Sequence, residues 1–305
     1  MKEIRVVVIV GPTASGKSSM ALDLAEEFDG EIVTADSMQV YRFMDIGTAK
    51  PTAEERRRAP HHLIDMVSPD EVYTVAHYRD DAAAVIDDIH SRGRLIILAG
   101  GSGLYIRALT KGLLDAPPAN PALREELEKM EERMGRGYLH NKLREVDPSL
   151  ADSIHPHNRV RIIRALEVAT LTKQPLSRHQ NEHGFGERPY RLLTIGLTME
   201  RSLLYRRIEG RVDSMIEDGL EGEVRGLLEM GCSPSLKSMG GLGYKEMAHF
   251  IGGGCSREEA IGEIKKKTRN YAKRQLTWFR RDEDVEWFTA REREIIRERV
   301  EGFLQ

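Results

Sequence analysis

The chain alternates between short, β-branched apolar runs and longer stretches with helical spacing. "IRVVVIV" (4–10) reads as a fully buried parallel strand, because its apolar residues follow one another instead of alternating with polar ones. "SSMALDLAEEF" (18–28) has helical spacing, and "GEIVTADS" (30–37) reads as a second strand ending at Asp36. "VAHYRDDAAAVIDDIHSRG" (75–93) predicts a helix stopped by Gly93, and "RLIILAGG" (94–101) a third buried strand. Strands and helices in alternation imply an α/β fold of the P-loop type, a parallel sheet flanked by helices. Ligands of such sheets bind at the carboxyl ends of the strands.

After the Pro-rich "LLDAPPANP" (113–121) the pattern changes. "LREELEKMEERM" (123–134) places Leu123, Leu127, Met130 and Met134 on one helical face, and no buried strand is evident across 116–188. This segment is expected to be a mostly helical insertion domain. "PYRLLTIGLTM" (189–199) returns to the sheet. The expected division is therefore a catalytic core of 1–115 and 189–305, with the insertion at 116–188. The C-terminal remainder is expected to be largely helical.

Composition narrows the classes. The 305 residues are 40% hydrophobic and 31% charged, enough for a sizeable core. No run of 18 apolar residues suggests a membrane span, and no targeting segment is expected before the first strand. Cys232 and Cys255 lack metal-like spacing, which suits a reducing cytoplasm. A monomer is the default expectation.

The formal net charge of −3 does not by itself point to nucleic acid, but its distribution is uneven. "IKKKTRNYAKRQLTWFRR" (264–281) holds eight Lys/Arg and no acid. This is either a solvated helix face or a basic face directed at phosphates, with Lys273, Arg274 and Arg280 as candidate contacts. Tyr271 and Trp278, seven apart, share a face that either packs the helix down or stacks on bases, packing being the expectation. His61 and His62 read as turn residues without a metal, and Tyr41 and Arg42 as lining the site entrance.

The chemistry begins at "GPTASGKS". Gly11, Gly16, Lys17 and Ser18 match G-x-x-x-x-G-K-[ST] between a strand and a helix. Such a loop holds phosphate on backbone N–H groups and a helix N-terminus, with Lys17 neutralising charge and Ser18 able to touch Mg²⁺. ATP-consuming relatives of this loop hold the ion with an acid at the end of another core strand. "RLIILAGG" ends in glycines instead. Asp36, at the end of the second strand, is either a general base or a cap for a turn. Ser37 and Gln39 carry side chains able to hydrogen-bond a base edge, Gln being suited to adenine. Ser102, in the turn "GGSGLYIR" (100–107), could donate to the same anion.

Eight motifs in order resemble those of the bacterial tRNA dimethylallyltransferases: "GPTASGKS", "ADSMQVYRFMDIGTAKP", "PHHLID", "GGSGLYIRAL", "RVRIIRALEV", "RRIEGRVDSMIEDGLEGEV", "GLGYKEM" and "RNYAKRQLTWFRR". They span 11–281. The resemblance implies transfer of a dimethylallyl group from dimethylallyl diphosphate to the exocyclic amine of the adenine 3′ to the anticodon. It implies that the loop, Gly11 and Thr13, Ala14, Ser15, Gly16, Lys17 and Ser18, holds the departing diphosphate with Mg²⁺ on Ser18. It makes Asp36 the base, Arg211 a diphosphate and catalytic residue, and Ser102 the counterpart of a usual Thr. Ser37, Met38, Gln39, Arg124, Arg161 and Arg164 match tRNA-contacting positions, as do Tyr244 and Lys245, although Gly240 departs from the basic residue usual there. Rival readings are a small-molecule kinase using ATP, a non-catalytic RNA-binding module, and prenylation of free adenine nucleotides.

Overall fold

The computed structural model describes residues 3–305. The chain forms two compact units, one of 1–110 with 188–305 and one of 111–187. In the first, β1 (Arg5–Val10), α1 (Lys17–Glu27), β2 (Gly30–Ala35), α2 (Ala53–Arg58), β3 (His61–His62), α3 (Val75–Ser91), β4 (Leu95–Gly100) and α4 (Gly103–Lys111) follow in order. The second unit holds α5 (Pro121–Met134), α6 (Tyr138–Val146), α7 (Pro148–Ser153), α8 (Arg159–Thr172) and α9 (Leu176–His183). The chain then returns through β5 (Arg191–Thr198), α10 (Arg201–Glu217), α11 (Leu220–Glu229), α12 (Tyr244–Ile251), α13 (Arg257–Phe279), β6 (Val285–Thr289) and α14 (Arg293–Leu304).

Six strands form one parallel sheet in the order β3-β2-β4-β1-β5-β6. The apolar runs are continuous because both faces are covered. Val6, Val8 and Val10 enter one cluster with Ile86, Tyr105 and Met247, while Val7 and Ile9 enter the other with Leu24 and Ile296. The carboxyl ends of β2, β4 and β1 are neighbours, so the segments after Ala35, Gly100 and Val10 meet along one edge. The backbones there leave no room for side chains: a Cβ on Gly100 would lie 2.1 Å from the Ala35 carbonyl oxygen.

Two strands are absent from the sequence reading. β6 is five residues amid acids with only Val285 fully buried, and its short apolar pattern, Val285 and Trp287 toward one cluster and Phe288 toward the other, makes no long apolar run. β3 is two residues long and corrects the reading of His61 and His62 as turn residues. His62 Nε2 lies 2.7 Å from Glu31 Oε2, and His61 Nδ1 lies 2.9 Å from the Ala59 carbonyl. Tyr41 is also corrected, since it is buried in the core and not at an entrance.

The second unit packs Leu127, Leu139, Leu143, Ile162, Leu166 and Val168 into its own core. Leu123 and Met130 lie against that core, whereas Met134 is exposed. Its polar centre is Glu167, fully buried on α8. Arg124 donates to it twice at 2.8 Å, Arg164 at 2.6 Å and the Asn120 N–H at 2.7 Å. Burial pulls this carboxyl up, but Arg124, the Asn120 N–H and Arg164 outweigh it and hold it down at about 2.

Against the ordinary value of 4.5, that lowered value contributes stability above about pH 4.5, which is lost as pH falls toward 2. Glu167→Gln should therefore destabilise the protein by about 2–3 kcal/mol near neutral pH, somewhat less than for a fully buried pair because both arginines are partly in water. Denaturant melts of both proteins should converge as the pH drops through that window. A constant difference would contradict the assignment.

Candidate active site

The loop after β1 is shaped by left-handed backbone. Gly11, Ala14 and Gly16 have φ of 141°, 64° and 99°, and a Cβ on Gly11 would sit 2.5 Å from the Leu197 carbonyl oxygen. This winding turns successive N–H groups toward one point, as in other anion-binding nests. Gly16 begins α1 with no side-chain cap, so the first-turn N–H groups are left for an external acceptor. In the loop before it two N–H groups are already engaged, that of Thr13 donating to Gln275 Oε1 at 2.8 Å and that of Ser15 to the Pro12 carbonyl at 3.2 Å. The Ser15 hydroxyl is buried beneath the loop without a partner.

Lys17 folds back over the loop and donates to the Pro12 carbonyl at 2.7 Å. Burial, and then the positive charge of Arg211, pull its ammonium down from 10.5 to about 7, with Asp36 opposing. Arg211, on α10, is lowered by burial and supported by Asp36. Two cations and one carboxylate thus converge from three elements that are remote in sequence.

Asp36 directly follows β2. Its Oδ1 accepts the Met38 N–H at 2.8 Å, so it both closes a turn and faces the cavity. Ser102, after β4, accepts the Ser37 N–H on Oγ at 3.0 Å. The two turns beside the loop are thereby locked together.

Three connected spaces surround these groups. An outer one is lined by Ala14, Gly16, Lys17, Ser18, Ser19, Arg207 and Arg211. A slot of about 130 Å³ runs from Lys17 and Ser18 past Asp36 to Ala21, Ile32 and Ala99. A larger chamber of about 370 Å³ lies on the other side of Asp36 and Arg211, against Met38, Met215, the 240–244 segment and Tyr271.

Several side chains unnoticed in the sequence build this arrangement. Gln275 is buried on α13, and besides holding Thr13 it donates to the Gly101 carbonyl at 3.0 Å. It therefore ties the phosphate loop to the end of β4. Lys50, with its side chain 2% exposed, spends its ammonium on the Tyr41 carbonyl, Asp45 and Asp65 at 2.5–2.7 Å. Glu223 accepts the N–H groups of Asp45, Ile46 and Gly47, together with the Tyr244 hydroxyl. These two knots, the one ionic and the other hydrogen-bonded, fix the loop that walls the slot. The signal for Gln275 was a neutral residue one turn after Tyr271 within a basic stretch; Lys50 and Glu223 gave none.

Other residues are placed differently from the sequence reading. Gln39 lines the slot, but its amide donates to the Thr48 and Ala49 carbonyls at 3.1 Å and not outward. Tyr244 is 1% exposed with its hydroxyl on Glu223, which makes it framework and not a surface contact for RNA. Arg124 and Arg164 are held on Glu167, whereas Arg161 and Lys245 are exposed. Trp278 rests its ring against Gly103 at the start of α4, with Arg107 over the ring and 41% of the residue exposed, whereas Tyr271 lines the cavities.

The basic stretch is also less bare than its sequence implies. Lys265, Lys267 and Arg269 meet Asp213, Glu246 and Glu209 from α10 and α12. Among the described residues, no acid is within ion-pair distance of Lys273, Arg274 or Arg280, all exposed.

For Mg²⁺, no group of three or more His, Cys, Asp or Glu among the described residues could cage a metal. The exposed Ser18 hydroxyl beside the anion space fits an ion carried in by a phosphorylated ligand, as Mg²⁺ commonly is.

Sheet order, uncapped helix and glycine loop define a P-loop-type α/β protein with a carboxylate where two cavities join. Residues 39–282 match the family described as IPP transferase. The chain is 53% identical to tRNA dimethylallyltransferase 2 of Geotalea uraniireducens, over 93% of this chain and 92% of that protein. Its structure resembles that of the full-length tRNA isopentenylpyrophosphate transferase from Bacillus halodurans, with 44% identity, a TM-score of 0.74 and coverage of 99% and 97%. A eukaryotic dimethylallyltransferase acting on tRNA aligns at 30% identity and a TM-score of 0.75, over 90% of this chain and 69% of that one. The chain belongs to the IPP transferase family.

Because Lys17 is held near 7, an arriving polyanion should restore its proton. Pyrophosphate binding at about pH 8 should take up to about one more proton in the wild type than in Lys17→Arg, whose cation is permanent. Calorimetry in buffers of different ionisation enthalpy reads this directly, and equal uptake by the two proteins would refute it.

Proposed function

We propose that the protein transfers the dimethylallyl group of dimethylallyl diphosphate to the exocyclic N6 amine of the adenine 3′ to the anticodon of tRNA. The observation that carries this reading is the position of Asp36, one carboxylate between a phosphate-binding loop and a second, larger chamber. The relatives named tRNA dimethylallyltransferase support it independently. Action on tRNA also accords with a cytoplasmic location, and no helix among the described residues is long and apolar enough to cross a membrane.

In this mechanism the bond between the allylic carbon and the diphosphate oxygen breaks, and its electron pair leaves with the diphosphate. The carbon–nitrogen bond forms from the amine, whose proton passes to Asp36. Lys17, Arg211 and the first-turn N–H groups of α1 are preorganised for the charge that develops on the leaving group. Mg²⁺ held through Ser18 would neutralise further diphosphate charge. No acid stands at the end of β4, consistent with a loop that holds a leaving group and does not hydrolyse ATP. Ser102 and Gln275 keep the loop and Asp36 in register. Lys245, Lys273, Arg274, Arg280 and, on the second unit, Arg161 are exposed cations available to the tRNA backbone.

The test is incubation with dimethylallyl diphosphate, Mg²⁺ and bulk tRNA, followed by nucleoside analysis. N6-isopentenyladenosine is the expected product, and its absence alongside hydrolysis of ATP would favour a kinase. Asp36→Ala should lower turnover by roughly 10²–10⁴-fold, as for loss of a general base, with tRNA affinity nearly unchanged. Loss of tRNA binding at normal turnover would make Asp36 a recognition residue instead.

A further inference from the structure

We infer that the slot beside the phosphate loop is a length gauge that restricts the donor to a single isoprene unit, with Ala21 and Ile32 as its far wall. The inference rests on the proposed prenyl transfer and adds which cavity holds the alkyl group and what limits it. The alkyl chain starts on the carbon bonded to the diphosphate, so it must begin next to the loop. Lys17 and Ser18 line the outer anion space and the slot, but not the larger chamber. Thr13 and Arg211 line both spaces, so the contact that sets the slot apart is with Lys17 and Ser18; on that ground the slot is assigned to the alkyl group and the larger chamber, across Asp36, to the purine.

The size of the slot follows from its walls. Ala21 on α1 is 1% exposed and Ile32 on β2 3%, both in the packed core under the sheet, and Ala99 on β4 is 9% exposed. The roof is the 48–61 segment, which Lys50 ties ionically to Asp45 and Asp65, while Glu223 holds the adjoining N–H groups of 45–47 by hydrogen bonds. A wall of core residues under a fastened roof cannot swell cheaply, because packed interiors resist added volume. The slot measures about 130 Å³. Thr34, Gln39, Glu55 and His61 also line it, so the comparison is one of volume alone: a cavity of about 150 Å³ is known to accommodate benzene, a six-carbon ligand. Five carbons fit this slot on that scale, and ten do not.

The experiment compares kcat/KM for dimethylallyl and geranyl diphosphate, with tRNA as acceptor, in the wild type, Ile32→Ala, Ala21→Leu and Met215→Ala. The wild type should prefer the five-carbon donor by roughly 100-fold or more, as expected of a mismatch larger than one methylene. Ile32→Ala should narrow that preference by about tenfold, and Met215→Ala, in the larger chamber, should leave it unchanged. Ala21→Leu should cut use of dimethylallyl diphosphate by about tenfold or more while inhibition by inorganic pyrophosphate stays the same. A wild type that uses both donors alike overturns the gauge. So does a preference moved by Met215→Ala and not by Ile32→Ala, or unimpaired transfer by Ala21→Leu. Should Ile32→Ala fail to fold by thermal melting, Ala21→Leu decides alone. Failure of the wild type to use dimethylallyl diphosphate at all strikes the proposed activity instead.

Discussion

The site rests on one electrostatic arrangement: Lys17 and Arg211 share a buried space with a single opposing carboxylate, Asp36. Two cations against one anion, beside an uncapped helix N-terminus, leave an excess of positive potential in a place with little water. The depressed Lys17 ammonium is the sign of that strain, which an incoming polyanion would relieve. Neither cation could be held there by its own element. Lys17 depends on the loop's left-handed turns, Arg211 on α10, and Asp36 on the end of β2.

The remainder of the first unit serves to keep those three elements in place. Parallel pairing of β2, β4 and β1 brings their carboxyl ends together. Gln275 then fastens the loop to β4, and Ser102 fastens β4 to the turn carrying Asp36. Polar side chains do this work because the sheet edge has exposed backbone N–H and C=O groups that an apolar clamp would leave unsatisfied. The helices of the second unit are organised around a carboxylate as well, Glu167, satisfied by two arginines and a backbone N–H.

The sheet's inner strands, the phosphate loop and Asp36 were legible in the sequence because each is local: a run, a spacing, a residue at the end of a strand. What escaped it is what tertiary structure alone decides. Gln275 and Glu223 act on backbone far away in the chain, and Lys50 on a carbonyl and two carboxylates of its own loop region; of the three only Gln275, neutral within a basic stretch, is marked by its neighbours. The basic stretch on α13 misled in the opposite direction, since its neutralising acids lie on α10 and α12. Trp278 and Tyr271 share a helical face in sequence, yet one lies under Arg107 near solvent and the other lines the cavities. β6 was hidden because an edge strand needs no continuous apolar run.

The central claim is that the loop holds the phosphates of a departing group and not those of a nucleotide being consumed. The most direct measurement is ³¹P NMR of the protein with dimethylallyl diphosphate, ATP, Mg²⁺ and tRNA together, with the modified adenosine quantified in parallel. One inorganic pyrophosphate should be released for each prenylated adenosine, with the ATP resonances unchanged. Loss of the ATP γ-phosphate, or pyrophosphate appearing without modified tRNA, would contradict it.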